Sequence, residues 1–244
     1  MRRFTLPPER LVDGRVTFDA EESRHLSRVL RLRPGDTVVA TDGAGRDYTV
    51  RLDSVGETTS GTVLDAAPGT PPSPLAITPV QGVPKGDKME AIIRAATELG
   101  VARVWPALCE RTIVRLEPSR WRDRARRWQR VAREAAKQCG RAVLPEVETP
   151  RPLAECLAGR ERAELALCFW EGGGVALADV LGSAPAPRSA LIVVGPEGGL
   201  APAEVEAARA RGLTIASLGP RILRTETAGP AIVAILQARF GDLG

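Results

Sequence analysis

Two patterns of apolar residues divide the chain into two parts. Residues 1–67 carry short alternating or β-rich runs separated by Gly, Pro and Asp turns, which predicts a small β domain. Its predicted strands are Arg15–Phe18, Thr37–Thr41, Tyr48–Leu52 and Thr58–Leu64. Between the first two strands, Leu26, Val29 and Leu30 recur at helical spacing, so a helix is expected over residues 19–32.

From residue 75 onward, apolar runs alternate with helical periodicity, as in an α/β fold with a parallel sheet. The predicted strands are Leu75–Val80, Val101–Trp105, Glu164–Trp170, Ala190–Val194 and Leu213–Leu218. The predicted helices are residues 87–100, Arg120–Cys139, Leu153–Leu157, one that begins near Pro202, and Ala228–Phe240. Residues 68–74 hold four prolines, which is typical of a stiff linker. The predicted domains are therefore 1–67 and 75–244, joined by a linker over 68–74.

Two of the predicted strands end in glycine loops, Gly195–Gly199 and Gly219-Pro220. Loops at the carboxyl ends of parallel strands bind ligands in open α/β sheets, and glycines let a ligand approach the backbone. The alternative is a pair of ordinary tight turns. The pocket is favoured because two arginines and a Glu between two Thr follow directly, which a helix entrance does not need for stability: Arg221, Arg224, Thr225, Glu226 and Thr227. A third glycine loop, Glu171–Gly174, either closes this pocket or is a flexible connection.

Composition limits the class of protein. The 244 residues, 43% of them hydrophobic, are enough to bury proper cores. No apolar run is long enough to span a membrane, and the first residues lack the apolar region of a signal peptide. Four widely spaced cysteines and a single histidine favour reduced thiols over a zinc site or a disulfide framework. A cytoplasmic protein without a bound metal is expected.

Basic residues are concentrated in one segment. Residues 111–141 contain eleven Lys or Arg against three acidic residues, a net charge of +8 in a chain whose total is +4. A solvated helix face is one explanation, but such faces mix both signs. The concentration favours a polyanion partner, and nucleic acid in particular.

Several longer motifs carry a resemblance to a known family. The segments GPEGGL, LGPRILRTETA, KMEAIIRAATELG, RWQRVAREAAKQCGR, RRF and HLSRVLRLRPGD, spread from Arg2 to Leu243, resemble the small-subunit ribosomal RNA (uridine-N3) methyltransferase family. The resemblance implies an α/β fold. It has a C-terminal SPOUT-type deep trefoil-knot domain, with a mostly parallel sheet and flanking helices, and an N-terminal PUA-like small β-barrel domain that binds RNA. It also implies a homodimer, with the last predicted helix, which is apolar nearly all round, at the interface.

The same resemblance implies S-adenosylmethionine-dependent methylation of N3 of a uridine in 16S ribosomal RNA, within the assembled small subunit. The expected catalytic residues are Arg224 and Glu226. The expected cofactor-binding residues are Cys168, Phe169, Gly195, Pro196, Glu197, Gly198, Gly199, Leu218, Gly219, Arg221, Ile222, Leu223 and Arg224. The expected RNA-binding residues are Arg2, Arg3, Arg24, Arg28, Arg31, Arg33, Arg111, Arg115 and Arg141.

The residues leave several roles open. Either Glu197 or Glu226 is the base that takes the N3 proton, since neutral N3 is a poor nucleophile. Arg221 and Arg224 either stabilise an anionic ring or hold a flipped nucleotide's phosphate. The structural alternative is that Glu226 caps its helix and pairs with Arg224. Two other functions remain: a non-catalytic RNA-binding ribosome assembly factor, and a knotted methyltransferase acting on transfer RNA or on a ribose hydroxyl. The intact glycine loops argue against the assembly factor.

Overall fold

The computed structural model describes residues 3–158, 163–183 and 185–244, and the chain divides into two compact units. The first unit comprises Met1–Pro72 with Arg133–Leu144, and the second comprises Ser73–Ala132 with Pro145–Gly244. The segment Arg133–Leu144, which begins inside a predicted helix, therefore packs with the amino-terminal residues.

The first unit is a six-stranded sheet with the strand order β1-β4-β5-β6-β3-β2. Apart from the parallel pair β1–β4, neighbouring strands are antiparallel. Alternate residues of the strands point inward and bury a core that includes Phe4, Val16, Val38, Val50 and Leu52. The strands are β1 (Arg3–Thr5), β2 (Leu11–Val12), β3 (Arg15–Thr17), β4 (Thr37–Thr41), β5 (Arg46–Ser54) and β6 (Ser60–Pro68). The four strands predicted here are confirmed, whereas β1 and β2 are too short to show a pattern.

The helix predicted over residues 19–32 is confirmed in place but wrong in extent. Helix α1 covers only Ala20–Arg24, with the Asp19 carboxylate accepting a hydrogen bond from the backbone N–H of Glu22. A π-helical turn follows over His25–Val29. Leu26 is buried but Val29 is exposed, so the apolar spacing does not mark one face of a continuous helix.

A buried ion pair ties the Arg133–Leu144 segment to α1. The Lys137 ammonium lies 3.0 Å from Glu22 Oε1, and both side chains are about 5% exposed or less. The same Glu22 oxygen accepts hydrogen bonds from the backbone N–H and the hydroxyl of Thr5. Burial lowers the pKa of Lys137, but hydrogen bonds and charges from Glu134 and Glu22 outweigh burial and raise that pKa above its usual value.

The second unit is built on a parallel sheet with the strand order β10-β8-β7-β13-β11-β14-β12, and β9 pairs with β8. Every pairing among its described strands is parallel. The strands are β7 (Ala76–Gly82), β8 (Arg103–Leu108), β9 (Glu146–Val147), β10 (Arg151–Pro152), β11 (Leu165–Phe169), β12 (Val175–Ala176), β13 (Ser189–Val194) and β14 (Thr214–Ser217).

Helices cover both faces of this sheet. Alternate residues of β13 enter different cores: Ile192 and Val194 join one cluster, and Leu191 and Val193 join the other. The first cluster includes residues of α2 (Lys88–Glu98), α3 (Pro118–Cys139), α5 (Leu177–Ser183) and α7 (Thr225–Phe240). The second includes residues of α4 (Leu153–Leu157) and α6 (Pro202–Ala210).

The strands and helices predicted for this part of the chain are confirmed, with one boundary that matters. Helix α7 begins at Thr225, not at the predicted Ala228, because the Arg224 carbonyl accepts hydrogen bonds from the N–H groups of Thr227 and Ala228. Glu226 therefore lies in the first helical turn, where the helix dipole favours a negative charge. The short elements β9, β10, β12 and α5 were not predicted.

The described residues contain neither a candidate membrane span nor a candidate metal cluster. None of their helices combines the length and the apolar character that a membrane span requires. Within the same residues, no cluster of three or more His, Cys, Asp or Glu side chains has the arrangement of a metal site.

We expect Lys137→Met to lower the free energy of unfolding by about 3 kcal/mol, because it leaves the Glu22 carboxylate buried without its cation. Urea denaturation of the full chain measures this. The control is Arg126→Met, which removes the ion pair with Asp123 between side chains 75% and 68% exposed and should cost less than about 0.5 kcal/mol. Equal losses for the two variants would contradict the assigned role of the buried pair.

Candidate active site

Three glycine-containing loops meet at one edge of the parallel sheet. They follow β13, β11 and β14, which are adjacent in the sheet, so their carboxyl ends lie side by side. The loops line a cavity of about 820 Å³. Glu171 and Gly173 of the third loop are part of this lining, as is Trp170 directly before the loop. Of the two alternatives for that loop, the structure therefore supports closure of the pocket.

The loop after β13 needs its glycines. A Cβ on Gly195 would lie 2.9 Å from the carbonyl carbon of Gly199. Gly199 has a φ of +70°, and a Cβ there would overlap the Glu171 carboxylate. The Arg111 guanidinium donates a hydrogen bond of 2.9 Å to the Gly198 carbonyl from outside the loop. The backbone of this loop is thereby folded tightly and presented to the cavity.

Two buried polar side chains join this loop to the start of α7. The Thr225 hydroxyl donates a hydrogen bond of 2.7 Å to the Gly195 carbonyl. The Gln81 amide donates to the Thr225 hydroxyl at 2.8 Å and to the Gly82 carbonyl at 3.0 Å, and it lies 3.4 Å from the Gly195 carbonyl. Because Gln81 is fully buried at the end of β7, these bonds are shielded from water.

A charged cluster lies at the wall of the cavity. The Lys88 ammonium is 3.1 Å from Glu197 Oε1 and 3.5 Å from Glu226 Oε2. The backbone N–H of Lys85 also donates to both oxygens of Glu197, at 3.2 and 3.3 Å. No ion pair joins Glu226 to Arg224 in the part of the chain that the structure describes.

The pKa values of this cluster follow from its contacts. The hydrogen bond to Glu197 is the main cause that raises the pKa of Lys88, although partial burial opposes it. Partial burial raises the pKa of the Glu197 carboxyl, but hydrogen bonds from its own backbone, Lys88 and Lys85 outweigh burial and lower that pKa. Glu197 is therefore held as an anion. Glu226 Oε2 is buried and accepts no hydrogen bond from the described residues.

The structure brings almost all the predicted cofactor-binding and catalytic residues together at the cavity. Twelve of the thirteen predicted cofactor-binding positions line it, as does Glu226. The exception is Cys168, whose side chain is fully buried in the core on the α4 and α6 face, where burial raises the pKa of its thiol to about 12. Arg224 is exposed at the start of α7. These roles stay predictions.

The predicted RNA-binding residues have different surroundings. In the first unit, Arg24, Arg28, Arg31 and Arg33 are exposed. Arg3 is paired with Asp47 at 2.7 Å and is about 19% exposed, and Arg141 is half-buried. In the second unit, Arg111 and Arg115 are exposed near the start of α3. Arg2 lies outside the described residues.

Sequence reasoning missed Gln81, Lys88 and Trp170. Gln81 is a lone amide at the end of an apolar strand, and no residue near it in the sequence indicates its partner. Lys88 offered a signal, because it is a cation in the first turn of a helix, where the dipole disfavours positive charge. Such local conflicts concentrate at functional sites.

Comparisons with known proteins agree with this architecture. Residues 71–237 match the model of an RNA methyltransferase domain, and residues 18–59 match that of an RNA methyltransferase PUA domain. Ribosomal RNA small subunit methyltransferase E of Synechocystis sp. is 35% identical over 97% of this chain and 77% of its own length. The protein of the same name from Bacillus subtilis is 34% identical over 93% of this chain and 92% of its own.

Solved structures give the same result. A ribosomal RNA small subunit methyltransferase E from Neisseria gonorrhoeae bound to S-adenosyl methionine superposes with a TM-score of 0.88, at 33% identity and full coverage of both chains. A methyltransferase from Legionella pneumophila in complex with the same cofactor gives 0.91, at 29% identity over 99% of this chain and 98% of its own. The predicted fold class, a SPOUT-type α/β domain with an N-terminal PUA-like domain, is confirmed. This chain belongs to the ribosomal RNA small subunit methyltransferase E family of RNA methyltransferases.

Proposed function

We propose that the protein transfers a methyl group from S-adenosylmethionine to N3 of a uridine in small-subunit ribosomal RNA. The observation that carries this proposal is the cavity at the ends of β13, β11 and β14, with Arg224 and Glu226 in its lining. Membership of the methyltransferase family supports the reaction class. The assembly-factor alternative is not favoured, since a binding protein does not need a cavity whose loops are fixed by buried hydrogen bonds.

The residues present fit the cofactor. The cavity of about 820 Å³ is within the range of small-molecule sites, roughly 300–1,000 Å³. Its glycine loops offer backbone N–H and C=O groups, and apolar contacts come from Phe169, Val194, Leu218 and Leu223. When bound, S-adenosylmethionine supplies an electrophilic methyl group on a sulfonium sulfur.

Glu226 is the better of the two candidates for the base. Glu197 is already held by Lys85 and Lys88, so its oxygens are engaged. Glu226 Oε2 accepts no hydrogen bond from the described residues, and the Lys88 ammonium lies 3.5 Å from it. In the proposed reaction Glu226 accepts the proton that leaves uridine N3, while Arg224 stabilises the negative charge that develops on the ring oxygens.

We further propose that the protein acts as a homodimer through α7. One face of α7 lies outside the core and carries small and apolar residues. Ile235, at the centre of this face, is 42% exposed. The members of this face are Pro230, Ala231, Ala234, Ile235 and Ala238. Exposed apolar stripes of this kind are typical of protein interfaces.

Exposed arginines of both units are the proposed contacts to RNA. The four exposed arginines of the first unit bind RNA phosphates, with Arg111 and Arg115 as contacts from the second unit. The substrate is the assembled small subunit. The domains follow the limits 1–67 and 75–244 with a linker over 68–74, except that Arg133–Leu144 belongs to the first compact unit. The four described cysteines are free, as in a reducing cytoplasm.

We expect Arg224→Ala to abolish most methyl transfer while leaving the fold intact, because Arg224 is exposed and its side chain makes no capping bond. The assay uses labelled S-adenosylmethionine and small subunits that lack their own modification, followed by nucleoside digestion and mass spectrometry. The matched control is the exposed Arg211→Ala. Wild-type protein that binds the cofactor but yields no N3-methyluridine would favour an assembly factor or another RNA.

Glu226→Gln should lower kcat by about a hundredfold or more, the usual loss when a general base is removed. Glu197→Gln should instead weaken cofactor affinity and lower the melting temperature, because the Glu197 carboxylate anchors its loop to the start of α2. Single-turnover rates, calorimetric cofactor binding and thermal unfolding separate the two effects. A larger loss of kcat in Glu197→Gln than in Glu226→Gln would reverse the assignment.

Ile235→Glu should convert a dimer to monomers, because it places a charge at the centre of the apolar stripe. Sedimentation equilibrium on the full chain measures the association state. Val29→Glu, at a 68% exposed apolar position in the first unit, is the control and should not change it. A wild-type monomer at all concentrations, or a dimer unaffected by Ile235→Glu, would reject this interface.

A further inference from the structure

Lys88 lies between two of the carboxylates that line the cavity, Glu197 and Glu226. It is the first residue of α2, a position where the helix dipole opposes a cation by about 0.3–1 kcal/mol. Its ammonium group faces Glu197 at 3.1 Å and Glu226 at 3.5 Å, and its side chain is 33% exposed. The two anions offset the unfavourable position, so the presence of Lys88 is understood only together with them.

The two partners of Lys88 differ in how else they are held. Glu197 accepts hydrogen bonds from the Lys85 backbone N–H and so keeps its place without Lys88. For Glu226, Lys88 is the charged partner that the structure gives among the described residues. Removal of Lys88 should therefore release Glu226 more than Glu197.

We propose that Lys88 is a positioning residue that holds the Glu226 carboxylate against the cavity wall, ready to accept the proton from uridine N3. The inference rests on the proposed function. Glu197 fixes the ammonium group from one side, and the ammonium group fixes Glu226 from the other. Lys88 acts through Glu226 and contacts no reacting atom in this scheme.

The alternative role of Lys88 is purely structural, as a tie between α2 and the Gly195–Gly199 loop through Glu197. The two roles predict different losses. A structural tie would affect cofactor affinity and thermal stability, because that loop lines the cofactor cavity. A positioning role affects kcat and leaves cofactor affinity nearly unchanged.

The test compares Lys88→Met and Lys88→Arg with wild type. We expect Lys88→Met to lower kcat about tenfold or more with less than about a threefold change in cofactor Kd, and Lys88→Arg to retain at least about a third of kcat. Arg94→Met is the matched control, because it removes an exposed cation from the same helix at a position outside the cavity lining. Its kcat should stay within about twofold of wild type.

A double-mutant cycle tests whether Lys88 acts through Glu226. In a Glu226→Gln background, Lys88→Met should change kcat by less than about twofold, because its target is already gone. The same tenfold loss in both backgrounds would overturn the proposal. If Lys88→Met does not fold, Lys88→Gln serves in its place, since it keeps polarity and length but not charge.

A crystal structure of Lys88→Met gives a readout independent of turnover. The Glu226 carboxylate should leave its position at the cavity wall, while Glu197 stays on the Lys85 N–H. If Glu226 does not move, or if wild type is active and Lys88→Met has the same kcat, the role of Lys88 is overturned and the proposed function stands. No methylated nucleoside from wild type would overturn the proposed function and this role with it.

Discussion

The hydrogen bonds that converge on the Gly195 carbonyl hold the rest of the site together. The Thr225 hydroxyl donates to that carbonyl, and the Gln81 amide donates to Thr225. Through these bonds the end of β7, the loop after β13 and the first residue of α7 form one unit. Because all three groups are buried, an unmade bond would leave a polar group without water, at a cost of about 1–3 kcal/mol. The arrangement is therefore strongly favoured over any looser packing of the loops.

The positions of the charged residues follow from that connection. Once Thr225 is fixed as the first residue of α7, Glu226 lies in the first turn and its side chain lines the cavity. The loop after β13 places Glu197 near the start of α2, where the Lys85 backbone N–H donates a hydrogen bond to its carboxylate. A carboxylate from the loop after β13 and one from the first turn of α7 thus lie within 3.5 Å of one ammonium group. They are not equivalent, because only Glu197 has backbone donors of its own.

Local patterns in the sequence predicted most of the strands and helices. The strand order and the contacts between residues far apart in sequence were not predicted. The apolar runs located β7, β8, β11, β13 and β14, since each buries alternate residues on both faces. The glycine loops of the cavity were visible as well, because tight turns and close backbone approach need that residue type. The order β13-β11-β14 was not visible, since pairing of parallel strands depends on contacts far apart in sequence. Gln81 was missed for the same reason: its partner Thr225 is 144 residues away.

Two lysines show how similar contacts serve different ends. Lys137 and Lys88 each lie between two carboxylates, Glu22 and Glu134 for the first, Glu197 and Glu226 for the second. Lys137 is in the last turn of α3, where the dipole favours a cation, and is 5% exposed, so its local and tertiary preferences agree. Lys88 opposes the dipole of α2 and lines an open cavity. The position of Lys88 is explained by the carboxylates that it holds and by its access to the cavity. A residue whose tertiary position conflicts with its local helical preference, as Lys88 does, is typical of a functional site, whereas Lys137 is typical of a structural contact.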